Sequence, residues 1–493
     1  MRQSKGVLLP PIPAGPVRRG DVYRALRSAV LDGLLGPGER LPSTRQAAAD
    51  YGVSRGLMEE VFGQLSDEGF FERAVGRGTF IAAQLARLET SANGNVRQHS
   101  PTSRGPSRRG LIVASNAACR EPETPVAFNA GVADTSEFPW NTWCRLQARA
   151  ARDLGHAALN FVDPRGLPDL RAAVAHYLGQ FRGIRCASRQ VMIFSSAQQA
   201  LNAVAVLLLN RGDAVWVEDP CYLGARAALE LAGGTVTPVP VDDEGIRVEV
   251  GLRRAPKARL AYVTPSHQYP TGVALSLERR IELLQWAVRN NSWIVEDDYD
   301  GEFRYAGQPL ASLYSLDSHE RVFYLGTLNK SMFVSLRLAY VVVPEELIEL
   351  LANIRTQMDG FSPAVVQMTM TLFMEEGYLS SHMRHMRTLY AAKRKALVDG
   401  LAPLATRGWT WSGNPAGMHL LIRHRRGEYV RAIAKASPLE LALLSRYRAI
   451  RAQDDGLFLR FGALDPESLQ AGVDELADVA IKMSKRAGQQ LRD

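Results

Sequence analysis

Cysteine is scarce in this chain: four residues (Cys119, Cys144, Cys186, Cys221) stand among 493. None forms a Cys-x-x-Cys pair and no histidine cluster accompanies them, which argues against a disulfide framework or a zinc site. Long apolar runs are missing too. The longest candidate, Ala200 to Leu209, falls well short of the roughly 20 residues a membrane-spanning helix needs. No apolar signal core follows the N-terminal Met-Arg-Gln-Ser, so a cytoplasmic protein without a membrane partner is expected. Excess charge is absent where a nucleic-acid binder would first be sought. From Pro16 to Phe80 nine Arg face nine Asp and Glu, although the whole chain carries +8. Binding to a polyanion there must come from segregation of charge. Gln84 to Arg120, with six Arg and one Glu, holds a net +5 instead.

At this length two or three domains are expected. Residues 16–82 are helical with a Gly-punctuated end. Residues 83–125 are rich in Ser, Arg, Gly, Pro and Asn, lack sustained periodicity, and read as a flexible linker. Residues 126–493 alternate strand-like and helix-like stretches.

In the first region Val22, Leu26, Val30 and Leu34 recur at helical spacing over Asp21 to Leu34, and Gly36-Pro37-Gly38 stops the pattern. Ser43 and Gln46 form a capping-box pattern for a short helix ending near Gly52. Ser54 caps a third helix, Arg55 to Gly69, with Leu57, Val61, Phe62 and Leu65 on one face. Extended stretches at Phe70 to Arg73 and Thr79 to Ala82 flank Gly76-Arg77-Gly78. That order predicts a winged helix-turn-helix. Its second motif helix would bring Ser54 and Arg55 to base edges. Ser43, Thr44 and Arg45 suit phosphate contacts, and Arg73, Arg77 and Thr79 lie on or beside the wing. Taken alone, these arginines fit a solvated surface equally well.

In the third region apolar strands are expected at 191–196, 214–218, 235–241, 260–264, 293–297, 322–327 and 338–343, with helices between them such as 197–209, 277–290 and 345–357. Strands apolar on both faces that alternate with helices predict an α/β fold with a mostly parallel sheet wrapped by helices. Ligands in such sheets bind at the carboxyl ends of strands. Lys330 stands there, after an apolar strand, in Gly-Thr-Leu-Asn-Lys-Ser. Asp297 ends the strand Trp-Ile-Val-Glu-Asp and Tyr299 follows. Ser196-Ala197-Gln198 joins a strand to a helix, where amides meet an anion. Thr327, Asn329 and Arg337 add two hydrogen-bonding groups and a cation. Tyr222 follows Glu-Asp-Pro-Cys, and Thr264 to Gly272 carries His267 and Gln268 in a strand-end loop. A Schiff-base lysine, a carboxylate for a pyridine nitrogen, a phenol for the ring oxygen and a phosphate cradle are what pyridoxal 5'-phosphate requires. Each residue also has an ordinary structural reading: a surface lysine, a helix cap, a loop residue bonded to backbone.

The string LPSTRQAAADYGVSRGLMEEVFGQLSDEGFFERAVGRGTFIA resembles the winged helix-turn-helix of the GntR superfamily, with Gly56 where that family more often has Asn. FNAGVADTSEFPWNTW, DPRGLPDLRAAVAHYL, EDPCYLGAR, VTPSHQYPTG, IVEDDYDGEF and GTLNKS with LRLAYVV resemble, in order, fold-type I aminotransferases. The whole chain resembles MocR/GabR-type regulators. That resemblance implies pyridoxal phosphate on Lys330, a double-stranded DNA operator, a small amine or amino-acid effector, and a head-to-tail homodimer. The expected function is a transcription regulator sensing an amino-acid-like amine, or pyridoxal phosphate itself, through Lys330; the rival is an aminotransferase with an auxiliary N-terminal domain. Ser196 replaces a usual Gly, Asn329 a common Ser, Val334-Ser335 a Pro-Gly pair, and Phe161 a frequent Tyr. Arg460 is the candidate for carboxylate recognition.

Overall fold

A computed structural model describes residues 9–12, 17–74, 76–87, 105–115, 127–128, 131–160, 162–307, 310–411 and 414–489. The chain divides into two units, Met1–Gly105 and Pro106–Asp493.

In the first unit, α1 (Arg19–Leu31), α2 (Thr44–Tyr51) and α3 (Arg55–Asp67) precede a hairpin of β1 (Phe71–Ala74) and β2 (Gly78–Ile81). The caps are local chemistry. Ser43 Oγ accepts from Gln46 N at 3.2 Å, and Ser54 Oγ accepts from Leu57 N at 3.2 Å. The expected capping box at Ser43 is only half formed, because the Gln46 side chain turns forward to Asp50 at 2.9 Å. Gly52 ends α2 in the left-handed region at φ 64°, where only glycine rests without strain. Helix α1 stops three residues earlier than its periodicity suggests, and Leu34 stays 73% exposed. Val22, Leu26, Ala47, Met58, Val61, Phe62, Leu65 and Phe71 form the core. Each fully buried large apolar side chain contributes about 1.5–3 kcal/mol.

The second unit opens with a helix, Arg108–Ser115, inside the segment expected to lack periodic structure. Ser107 Oγ caps it by accepting from Gly110 N at 3.0 Å. An eight-stranded sheet follows: β3 (Val191–Phe194), β4 (Ala214–Asp219), β5 (Thr235–Asp242), β6 (Gly245–Ile246), β7 (Leu260–Val263), β8 (Trp293–Asp298), β9 (Val322–Thr327) and β10 (Ala339–Val342). Its order is β3-β10-β9-β8-β7-β4-β5-β6. Pairing is parallel from β9 through β5, and β10 runs antiparallel to both its neighbours. Both faces are covered: Val191 and Ile193 enter one apolar cluster, Met192 and Phe194 another. This period-two division explains the continuous apolar runs.

A second sheet was not foreseen. β11 (Trp409–Trp411), β12 (His419–His424), β13 (Ala442–Leu443) and β14 (Asp455–Arg460) pair antiparallel in the order β11-β12-β14-β13. Among the described residues, no helix is long and apolar enough to cross a membrane.

Candidate functional site

Strand direction assembles the site. Strands β3 and β9 both run opposite to β10, so they point the same way, and β8, β7 and β4 follow β9. The carboxyl ends of these strands and the amino end of β10 therefore share one rim. Ser196–Gln198, Tyr222, His267–Gln268, Asp297–Tyr299, Thr327–Lys330 and Arg337 all lie along it.

Asp297, at the end of β8, is buried. Its Oδ2 accepts from Tyr262 OH at 2.6 Å, while Oδ1 has no partner. Burial pushes its pKa up to about 7; the Tyr262 bond opposes this, and the charges of Asp298 and Asp300 add to it. A buried carboxylate oxygen without a donor is costly, and a ring N–H would satisfy it. This is the observation that fits the cofactor inferred from sequence.

Lys330 lies half-buried in the turn after β9, where Nζ donates to the Gly131 carbonyl. The turn is tied from within. Thr327 Oγ1 accepts from Asn329 N at 3.2 Å, and Asn329 Oδ1 accepts from Leu338 N at 3.1 Å. Thus Asn329 braces the turn onto the start of β10. Arg337 is exposed and left-handed at φ 55°. Val334 and Ser335 form an exposed 3-10 turn before it.

Helix Ala197–Leu208 begins at the rim, with Ser196 Oγ accepting from Gln199 N at 3.1 Å. Such a helix start presents amides and positive potential to an anion. Gln198 Nε2 donates to Gly224 O at 2.9 Å, and Tyr222 OH donates to Gln198 Oε1 at 3.2 Å. Gly224 is needed for this approach: a Cβ there would stand 2.4 Å from Gln198 Oε1 and 2.5 Å from Tyr222 OH.

Tyr299 OH donates to His267 O at 2.9 Å, and His267 Nδ1 lies 2.9 Å from Asp300. Gln268 sits nearby in sequence but elsewhere in purpose. It is 1% exposed, with Nε2 donating to Glu218, Pro220 O and Tyr269 O, and Oε1 accepting from Thr271. Its bonding capacity goes into holding its own loop. Arg460, the last residue of β14, donates through Nη2 to Tyr269 OH and Tyr447 OH, both at 3.1 Å, and lies 5.0 Å over the Phe458 ring. It pairs across the sheet with His419.

Tyr262, Tyr269, Asp300, His419 and Tyr447 escaped the sequence reading. Tyr269 and Asp300 lie inside strings quoted above and Tyr262 directly before one, so their position was a usable signal. His419 opens β12 of the second sheet and Tyr447 ends a 3-10 turn between β13 and β14, a region that had none. Phe161 lies outside the described residues.

On the helix-turn-helix, Thr44, Arg45, Ser54, Arg55, Arg73, Arg77 and Thr79 occupy the start of α2, the cap and start of α3, and the hairpin. Arg45 and Arg77 are exposed. Arg55 is paired with Glu59 at 2.9 Å, and Arg73 Nη2 reaches Glu59 O at 3.5 Å. The exposed side of α3 thus carries carboxylates beside its arginine.

Residues 18–81 match the bacterial regulatory proteins of the gntR family, and residues 127–454 match aminotransferase class I and II. The chain is 35% identical over 465 residues to the probable rhizopine catabolism regulatory protein MocR of Rhizobium meliloti, covering 94% of this chain and 93% of that protein. It is 30% identical over 460 residues to the pyridoxine biosynthesis transcriptional regulator PdxR of Corynebacterium glutamicum, covering 92% and 94%. Among solved structures it is similar to LysN, the α-aminoadipate aminotransferase of Thermus thermophilus complexed with N-(5'-phosphopyridoxyl)-L-leucine. That match has a TM-score of 0.66 at 26% identity and covers 76% of this chain and 95% of that one.

Proposed function

Because the chain belongs to the regulators that join a gntR-type DNA-binding domain to a class I and II aminotransferase domain, we propose that it is a pyridoxal-phosphate-dependent transcription regulator answering to an amine effector. When bound, the cofactor supplies an aldehyde that captures amines and a ring that withdraws electrons. Lys330 would hold the aldehyde carbon and Asp297 Oδ1 the ring N–H. Ser196, Ala197, Gln198 and Arg337 would hold the phosphate. Tyr299 would steady the ring oxygen after turning from the His267 carbonyl, and Tyr222 would wall the ring. Thr327 and Asn329 act one step back, by keeping the lysine turn in shape.

The observation that carries this reading is the buried, partnerless Asp297 Oδ1 on the rim that also bears Lys330. Arg460 would receive the effector carboxylate, which points to an amino acid or a similar small amine. Arg45, Arg55, Arg73 and Arg77 would meet an operator from α2, α3 and the wing, with the hydroxyls of Ser43, Thr44, Ser54 and Thr79 beside them. The effector acts by binding two arrangements of the protein unequally, so DNA affinity changes with it. A head-to-tail homodimer in the cytoplasm completes the proposal.

The test is a DNA shift assay on the full chain over a panel of amino acids, run beside a keto-acid release assay. A coupling of 1–3 kcal/mol makes an effector alter operator affinity about 5–150-fold. Lys330→Ala should lose the visible cofactor band and this response together. Steady keto-acid release with no operator binding would overturn the regulatory reading in favour of an aminotransferase.

A further inference from the structure

Beside the cleft, three buried side chains from distant parts of the chain converge. His267 is 4% exposed, Asp300 2% and His419 6%. One donor atom from each lies within 4.8 Å of the others. The two histidine rings are 4.6 Å apart between centroids. His267 and Asp300 come from the loops after β7 and β8; His419 opens β12. The cluster therefore spans the seam between the two sheets of the second unit.

Its hydrogen bonds leave specific vacancies. His419 is held by a ring N–H bonded to the Pro270 carbonyl, and its Nε2 is buried with no partner. His267 turns Nδ1 to Asp300 and to the Tyr299 hydroxyl, so an ion shared with Asp300 would replace the proton on that nitrogen. His419 thus gives one ring N–H to a carbonyl and keeps the opposite nitrogen bare, as a metal-ligating histidine does. The Asp300 carboxylate sharpens the case: among the described residues its side chain bonds His267 and no Arg or Lys. A buried carboxylate away from cations is costly. Nor is there space for a side chain to repair this from the facing loop. Gly417 turns there at φ 73°, and a Cβ on it would stand 2.0 Å from His267 Cε1 and 2.7 Å from Asp300 Oδ2.

We propose that His267, His419 and Asp300 form a divalent transition-metal site linking the two sheets. Two imidazoles and a carboxylate suit zinc, cobalt, nickel or iron(II), and three protein ligands leave a position open to water or another small ligand. Bonds of about 2.1 Å place tetrahedral donors about 3.4 Å apart, so binding draws the widest pair inward by at most about 1.4 Å. The cysteines take no part, and the three ligands come from separate segments, so no sequence motif announces the site.

The experiment uses the full chain and cobalt(II) or zinc(II) alone. Cobalt titration should produce visible d–d absorbance saturating at one ion per chain, with zinc competing it away. His419→Gln and His267→Gln should each abolish the saturable band while melting within a few degrees of the parent. Asp300→Asn should weaken affinity by about 10–100-fold. Lys330→Ala, which removes the proposed cofactor anchor and a cation whose charge acts on His419, should keep the saturable cobalt band, so the site stands or falls independently of the cofactor reading. No saturable band in the parent, or one unchanged in folded His419→Gln, would overturn the proposal.

Discussion

Replacing Asp297 by Asn in the cofactor-free chain should make stability less sensitive to pH, by an amount the structure fixes. Burial moves this carboxyl from its ordinary 3.8 to about 7. Its folded value lies above its unfolded one, so the native state holds the extra proton between those limits. Stability is therefore lost as pH rises through that window and levels off above about pH 7. At about 1.4 kcal/mol for each tenfold step the full range is a ceiling of about 4 kcal/mol. Between about pH 5.5 and pH 8, linkage leaves about 2 kcal/mol. The assay is the melting temperature of parent and Asp297→Asn at those two pH values, without cofactor. Any fixed cost of the amide cancels in the difference between them. The parent should lose a few degrees more than the variant on going to high pH. Adding cofactor should reverse the ranking, because Oδ1 then gains a ring N–H as its partner. Equal pH responses in parent and variant would refute the assignment of Asp297 as the titrating, unsatisfied group.

Arg460→Lys keeps the charge but loses the fork held by Tyr269 and Tyr447. Losing a charged hydrogen bond worth about 1.5–3 kcal/mol should weaken a carboxylate-bearing effector about 10–150-fold in equilibrium titration, sparing an effector without a carboxylate. Gly224→Ala should displace Tyr222 and Gln198, given the 2.4 Å and 2.5 Å approaches of its Cβ, and lower cofactor affinity measured by absorbance without unfolding the DNA-binding unit. Arg45→Ala should weaken binding evenly across DNA sequences and reduce the salt slope by about 1. Arg55→Ala should instead relax sequence preference; equal losses on all sequences would make Arg55 a phosphate contact.

Much of this architecture was legible because it follows from local rules. Ser43, Ser54 and Ser196 stand directly before helices and cap them through their own hydroxyls. Strands β3 and β9 and the first half of β8 are apolar on both faces because both faces are covered. The second sheet was opaque for the opposite reason. β13 has two residues, and β12 begins and ends in histidine. Its strands find partners only after the chain has folded. Roles were harder to read than positions. His267 and Gln268 are buried neighbours of matching polarity; bonding alone ties one to Asp300 and Tyr299 and the other to its own loop. Buried pairs such as Lys393 with Asp134, 259 residues apart, leave no trace in local pattern.

The reversed direction of β10 makes the β9–β10 connection a ruler. A strand that ran with its neighbours would carry Arg337 to the far edge of the sheet, about 13 Å from Lys330 over its four residues. Running backwards, it returns the guanidinium to the lysine's side after a short excursion through Val334–Leu336. The spacing of the two cations is thus set by how many residues the excursion contains, clamped at both ends by Asn329 and Leu338. Insertion or deletion of a single residue there would detune the separation between them without changing the order of the strands.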